Sequence, residues 1–460
     1  MKLPPGPHST WKKIKMLLSR RKDPIQFYHD TFQTYGDLVY LKFGKLRFLM
    51  LNDPDAIEEV LQTDAKNYVK SVSYERFRLV FGNGLLISTG EIWRKQRLLM
   101  ASAFTTKSIE RMHPLIMEET QAMMKSWKDS TKLDLAEEMN LVTLQIISKS
   151  MLDQLDEEET KIIRSSVQEI LRYLQTSYHH ILMMILSIVP VKDKIGSAIK
   201  LERFLPLPIT RRFFKSIHLI DTLVHTIIEK RRHLNANENL LDQMIKATDG
   251  EGQGKMSNQQ LRDEVVNILL AGHETTSNAL SWTFHQILKY PEIHQKMKEE
   301  IQRVVKNDIA TYEELNQLTY TQAVFKESMR LFPPFWRVSR MSIKDTKVKG
   351  YDIPAGTNVI AGIYTIQRDS RYWKDALEFK PERFMGKDPE THRFAYIPFG
   401  AGPRICIGVS LAMTEAITII ASVIKNYELT KDFKDDPTLL LSITMQPKEG
   451  CQVKVKKAQA

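Results

Sequence analysis

The sequence predicts a mainly α-helical protein with a smaller β-rich region, and three observations carry that expectation. From about residue 54 to 330, apolar residues recur at helical spacing. Residues 37–52 and 338–364 instead show short runs of β-formers punctuated by glycine or proline. Residues 365–405 read as irregular, with Pro381, Pro389, Pro398 and Pro403, and the apolar run Val409 to Ile424 that follows reads as a helix.

Each element has a local reason. Leu38-Val-Tyr-Leu and Phe48-Leu-Met-Leu, with Gly44-Lys45 between them, predict a hairpin. Asp53 and Ser257 are expected helix caps. Ser257-x-x-Gln260 is a capping box, and the helix it opens can run to Tyr290, about 50 Å at ~1.5 Å per residue. Tyr290-Pro291 ends that helix and starts another. Between residues 338 and 364, Gly350, Pro354 and Gly356 divide short strands. An ordered irregular stretch as long as 365–405 is usually functional.

The chain has 460 residues and no Gly/Ser linker, repeat or low-complexity block, which predicts a single domain over 1–460. Its net charge is +11, with basic clusters at Arg20-Arg21-Lys22, Arg94-Lys95-Gln96-Arg97, Lys230-Arg231-Arg232 and Lys454 to Lys457. These are solvated faces or docking surfaces for an acidic partner. No nucleic-acid module is recognisable, so nucleic acid is not an expected partner. Two cysteines, Cys406 and Cys451, give no disulfide framework and suit a reducing compartment. No stretch reaches ~18 uninterrupted apolar residues, so no transmembrane helix is predicted; Ile181 to Val191 is too short.

Cys406 carries the chemistry. It sits in Phe399-Gly-Ala-Gly-Pro-Arg-Ile-Cys-Ile-Gly408, where Gly400, Gly402 and Pro403 favour a turn. The helix expected from Val409 puts the sulfur near amide N–H groups that stabilise a thiolate. Flanking Phe399, Ile405 and Ile407 suit an axial ligand to haem iron. The loop resembles the haem-binding segment of the cytochrome P450 superfamily at every fixed position: Phe399, Gly400, Gly402, Arg404, Cys406 and Gly408. There, electron donation from the sulfur favours O–O cleavage.

The resemblance extends over residues 3–455 with its landmarks in order. In Leu269-Leu-Ala-Gly-His-Glu-Thr-Thr-Ser277, the residues Ala271, Gly272, Glu274 and Thr275 match the family's oxygen-activating pattern. Thr275 can bond the Ala271 carbonyl and open the helix locally. A carboxylate beside an alcohol supplies a proton route, with Glu274 and Thr275 as the catalytic pair. His273 lies roughly 100° off the Ala271/Thr275 face and is read as structural.

Glu327-x-x-Arg330 resembles the family's Glu-x-x-Arg motif. The same spacing starts at Glu75, Glu91, Glu169, Glu229, Glu300 and Glu390, where surface pairs are expected. Leu331-Phe-Pro-Pro334 and Phe379-Lys-Pro-Glu-Arg-Phe384 single out Glu327, and the resemblance implies a buried network with Arg330 and Arg383. It further implies haem-propionate contacts from Trp93, Arg97, Arg340 and Arg404. Ala271 replaces a glutamate that esterifies haem in one branch, so non-covalent haem b is expected. Gln367 replaces a histidine common before Arg-Asp, and nothing about activity is inferred from it.

The resemblance implies a mainly α cytochrome P450 fold with haem buried between a long central helix and the cysteine loop. It implies a monooxygenase that inserts one atom of O2 into an apolar substrate. Alternatives are a haem-thiolate peroxygenase or isomerase, or a non-catalytic haem-dependent sensor. Pocket positions are Leu86, Ile87, Ile268, Ala271, Phe335, Trp336, Val338 and Ile443, an apolar lining that fits a fatty acid, terpenoid or steroid. The Ala-Gly-His-Glu-Thr-Thr string is shared with a bacterial fatty-acid hydroxylase, and Lys45 or Arg47 could meet a carboxylate. Electrons are expected from a separate ferredoxin, flavodoxin or flavoprotein reductase, docking near Arg94 and Lys95. A monomer is expected. Leu3-Pro-Pro-Gly-Pro7 resembles the hinge after a membrane anchor, whereas Leu205 to Phe213 looks like bacterial members. The expectation is a soluble cytoplasmic protein, the alternative one whose anchor was removed.

Overall fold

The computed structural model describes residues 1–9, 16, 19, 23–44, 46–152, 155–175, 208–233, 239–247, 255–386 and 391–458. The sequence readings at 20–22, Lys45, 181–191 and 205–207 lie outside them. The chain forms two compact units, one of residues 1–72, 120–139 and 275–460, the other of 73–119 and 140–274.

The first unit is built on a five-stranded sheet. Leu38–Phe43 pairs antiparallel with Leu46–Leu51, turning through Gly44 at φ +56°. Leu46–Leu51 runs parallel to Thr357–Gly362, which pairs antiparallel with Arg337–Ser342. Tyr68–Lys70 closes the far edge against Arg337–Ser342. All six residues of Thr357–Gly362 are buried, as a central strand requires. A second sheet joins Thr131–Asp134, Gln452–Lys457 and Tyr427–Lys431. Neither Tyr68–Lys70 nor this second sheet was expected; strands of three to six residues inside or after helical sequence show too little alternation.

The expected helix signals are present. Asp53 accepts the Ala56 N–H at 2.7 Å. Ser257 N–H donates to Gln260 Oε1 at 2.9 Å while Gln260 N–H donates to Ser257 Oγ at 3.2 Å, completing the capping box. The helix it opens spans Asn258–Lys289, 32 residues, and Pro291 starts the next. In the second unit Glu157–Gln175 packs along Pro208–His233, with Tyr173 stacked on Phe213. Among the described residues, Val409–Asn426 is long and apolar enough to cross a membrane by length and composition only; most of it is buried in the protein, with Ile417, Ile420 and Val423 in the core.

Helix Thr319–Leu331 carries the network that fixes the irregular stretch. Glu327 and Arg330 are both fully buried. Arg330 Nε and Nη2 donate to Glu327 at 2.7 and 2.8 Å. Its remaining donors reach the carbonyls of Gln367, Ala376 and Glu378 at 2.7, 2.7 and 3.0 Å. All five guanidinium N–H groups are thus satisfied. Arg383 Nε reaches Glu327 Oε1 at 3.3 Å. Gln367 completes the joint: its amide donates to the Met329 and Arg330 carbonyls, which the helix end leaves open, and its Oε1 accepts the Ile397 N–H at 2.9 Å. Glu300, expected in a surface pair, is instead buried and caps this helix through the N–H groups of Tyr320 and Thr321, both at 2.8 Å.

Glu327→Ala or Arg330→Ala strands a buried charge and should cost about 3–5 kcal/mol. Glu169, whose half-exposed carboxylate lies 3.7 Å from Arg172, shares the spacing; its alanine variant should lose under ~1 kcal/mol. Chemical unfolding midpoints of the three variants check the contrast.

Candidate functional site

The cysteine loop is a run of turns in the first unit. Gly400 and Gly402 adopt φ of +72° and +68°, the left-handed region that glycine enters freely. Gly402 also passes so close to Leu61 that an added Cβ would collide with its carbonyl oxygen. The residues Gly402–Arg404 form a single tight turn, and Cys406 N–H donates to the Phe399 carbonyl at 3.0 Å. Helix Val409–Asn426 follows with Gly408 at its cap. A Cβ at Gly408 would lie 4.0 Å from Cys406 Sγ, so the sulfur sits beside the helix N-terminus, where amide donors and the dipole favour a thiolate. Cys406 is exposed. Cys451 is fully buried, and burial first, then Asp134, pushes its thiol well above the ordinary range.

Three cations converge in the same unit. Lys70 lies directly opposite Arg340 across the strand pair, so both side chains project from one face of the sheet. Arg340 is buried and Arg404 half-buried. Burial, then Arg340, then Arg404 push Lys70 well below the ordinary lysine value. The sequence named the two arginines and did not mark Lys70, because a three-residue strand leaves no periodic signal.

The long helix runs without interruption through Ala271 to Thr275, so the local opening expected at Thr275 does not break it. Its neighbours are almost all buried, yet Ala271 is exposed and Gly272 and Thr275 are half-buried. Ala271 and Thr275 are one turn apart and share that open strip. Gly272 has a packing reason: a Cβ there would meet Ile147 Cγ1 at 3.0 Å. Glu274 is buried. His273 is buried with Nδ1 3.1 Å from the Leu269 carbonyl, and burial lowers its pKa to about 4, as a structural histidine behaves.

The expected pocket residues fall in three places. In the second unit Leu86 is half-buried and Ile87 buried, both in a turn, and Ile268 is buried on the long helix. In the first unit Phe335 and Val338 are half-buried, while Trp336 turns into the core edge-on to Tyr28, 5.7 Å between rings. Ile443 is at the tip of the hairpin Leu439–Leu441 and Met445–Pro447. Asn278 Nδ2 holds that tip at Thr444 Oγ1, 3.2 Å, and Trp282 Nε1 holds Met445 O at 3.4 Å. Trp93 and Arg97 are half-buried, one turn apart on helix Gly90–Ala101, and Arg94 and Lys95 between them are exposed. Arg47 donates to the Ala355 carbonyl at 2.9 Å. Phe399 is half-buried.

The exposed Cys406 beside a helix N-terminus and the cationic trio belong to the first unit, and the open strip at Ala271 to Thr275 belongs to the long helix. The family model described as Cytochrome P450 matches residues 4–455. The chain is 29% identical over 416 residues to cyclooctat-9-en-7-ol 5-monooxygenase of Streptomyces melanosporofaciens, covering 90% of this chain and 86% of that protein. It is 30% identical over 459 residues to cytochrome P450 716A67 of Medicago truncatula, covering 95% and 84%. It is 28% identical over 412 residues to pentalenene oxygenase of Streptomyces avermitilis, covering 88% and 87%. The chain belongs to the cytochrome P450 family, monooxygenases that use a haem-thiolate cofactor, O2, an apolar substrate and a redox partner. Its residues fit that group: Lys70, Arg340 and Arg404, three cationic side chains in one unit, suit the two porphyrin carboxylates.

Gly400→Ala meets only the left-handed φ, since nothing lies near its missing Cβ; about 1–2 kcal/mol should be lost. Gly402→Ala adds the collision with Leu61 and should lose clearly more. Thermal unfolding and holoprotein yield of the two variants should rank them in that order.

Proposed function

We propose that the chain is a haem-thiolate monooxygenase in which Cys406 is the axial ligand. The observation that supports this most is the contrast between its cysteines: Cys406 is exposed beside a helix N-terminus, and Cys451 is sealed in the core. Non-covalent haem b, when bound, supplies the site at which O2 is bound and reductively activated. Arg340, Arg404, Trp93 and Arg97, with Lys70 added, are the residues that would hold its carboxylates. Ala271 keeps its strip free of side-chain bulk. Thr275 presents its hydroxyl from the same strip, and Glu274, the adjacent carboxyl, passes protons to it from solvent.

The substrate is an apolar small molecule, taken against Leu86, Ile87, Ile268, Ala271, Phe335, Val338 and Ile443. Two relatives are named for oxygenation of cyclooctat-9-en-7-ol and of pentalenene, which supports a terpenoid over a fatty acid or steroid. The packing of Trp336 against Tyr28 makes it a backing residue for this wall. Electrons come from a separate carrier that docks by charge on the Arg94 and Lys95 face.

Cys406→Ala should abolish the thiolate-type reduced carbon monoxide spectrum, and Cys451→Ala should keep it. Persistence of that spectrum in Cys406→Ala would remove the proposal. Thr275→Ala should uncouple the reaction, with electrons recovered as peroxide rather than product. Full coupling in that variant would place the proton route elsewhere.

A further inference from the structure

Segment 80–88, Val-Phe-Gly-Asn-Gly-Leu-Leu-Ile-Ser, is strapped to one stretch of the long helix by side chains. Asn83 N–H donates to Asp263 Oδ2 at 2.8 Å, Leu85 N–H to Glu264 Oε2 at 3.0 Å and Leu86 N–H to Asn267 Oδ1 at 3.3 Å. In return Asn267 Nδ2 reaches the Phe81 carbonyl at 3.1 Å and Arg262 Nη1 the Val80 carbonyl at 2.9 Å. Two glycines permit this approach: a Cβ at Gly82 would strike the Asp263 carboxylate, and one at Gly84 the Asn267 amide.

Glu264 differs from its neighbours. Asp263 is compensated by Arg262 at 3.0 Å and Gln259 at 2.9 Å. Glu264 is fully buried, its Oε2 takes only the Leu85 N–H, and its Oε1 meets no hydrogen-bond partner among the described residues. Residues 264, 268, 271 and 275 fall on one stripe of the helix. The strap is therefore gripped about 10 Å, two turns, upstream of Ala271 on the stripe that presents it.

We infer that Glu264, with Asn267, is a positioning residue: its carboxyl holds the Leu85 backbone and so sets where Leu86 and Ile87 face the substrate. This rests on the reading that those two side chains wall the pocket. The charged groups around Glu264 are Asp263 and Arg262 on its own helix, and Asp221 on Pro208–His233, which binds Arg262; segment 80–88 carries none. Burial is the main cause that raises the Glu264 pKa, to about 8; the Leu85 N–H opposes it and Asp263 adds to it. Opening the strap to water returns the group to an ordinary glutamate, pKa ~4.3. The raised value belongs to the closed state, so closure is strongest below ~4.3 and weakens up to tenfold per pH unit until about 8, then levels off.

The test uses the full-length holoprotein, with the reduced carbon monoxide spectrum recorded first to verify thiolate ligation. Amide exchange across 80–88, corrected for intrinsic base catalysis, should accelerate with pH over that window in wild type. It should be pH-independent in Glu264→Gln, which keeps a neutral acceptor. A pair of iron-binding probes, imidazole and a phenyl-substituted imidazole, reads the pocket wall. Glu264→Leu should weaken the phenyl probe by about tenfold, equivalent to ~1.4 kcal/mol, and imidazole itself by less than about twofold. Glu264→Gln should restore wild-type affinity for both. The same pH dependence in Glu264→Gln as in wild type, or unchanged probe selectivity in Glu264→Leu, overturns the inference while leaving the monooxygenase proposal intact. Loss of the thiolate spectrum in wild type would instead defeat that proposal.

Discussion

The placement of Cys406 depends on one buried guanidinium. Arg330 is held by Glu327 on its own helix and spends its other donors on three backbone carbonyls of a stretch that has almost no regular hydrogen bonding. Buried backbone carbonyls outside regular structure need such side-chain donors. Gln367, whose own carbonyl is one of the three, relays the constraint onward by accepting the Ile397 N–H. Two residues later, Phe399 accepts the Cys406 N–H. The sulfur is thus positioned by a chain of hydrogen bonds that begins at a charge pair with zero exposure. A pair so placed is weak evidence for stability on its own. Its value here lies in giving an irregular segment one conformation.

Electrostatics are arranged by the same unit. Lys70 and Arg340 are like charges on one face of the sheet, and Arg404 from the cysteine loop acts on Lys70 in the same direction. In the proposed reading these three cations would receive the porphyrin carboxylates. The long helix contributes the opposite quality: its burial leaves only a narrow strip around Ala271, where the missing side-chain bulk and the Thr275 hydroxyl coincide.

Much of this was legible in the sequence because a few residues had no alternative use. The Ser257 and Gln260 pair, the Gly44 turn and the Tyr290-Pro291 break are local devices, and each appears where its chemistry requires. Spacing alone was not enough: Glu300 and Arg303 repeat the Glu327 pattern, yet Glu300 turns to cap a helix in tertiary contact with it. Lys70 was illegible because its meaning comes from the strand opposite. Gln367 was noticed only as a departure, since its role as a junction exists only once three distant carbonyl and amide groups have been brought together. Gly272 was read as part of the family pattern, and the structure adds a close approach to Ile147 that no sequence signal marks.

The relay from Arg330 to the sulfur is tested most directly at Gln367, through iron-edge X-ray absorption of holoprotein carrying Gln367→Leu. The substitution keeps the volume and removes the acceptor of the Ile397 N–H, an unsatisfied buried donor worth about 1–3 kcal/mol. The account predicts a single sulfur neighbour to iron in wild type, and a longer or heterogeneous sulfur distance with faster haem loss in the variant. A sulfur shell and haem retention identical to wild type would contradict it.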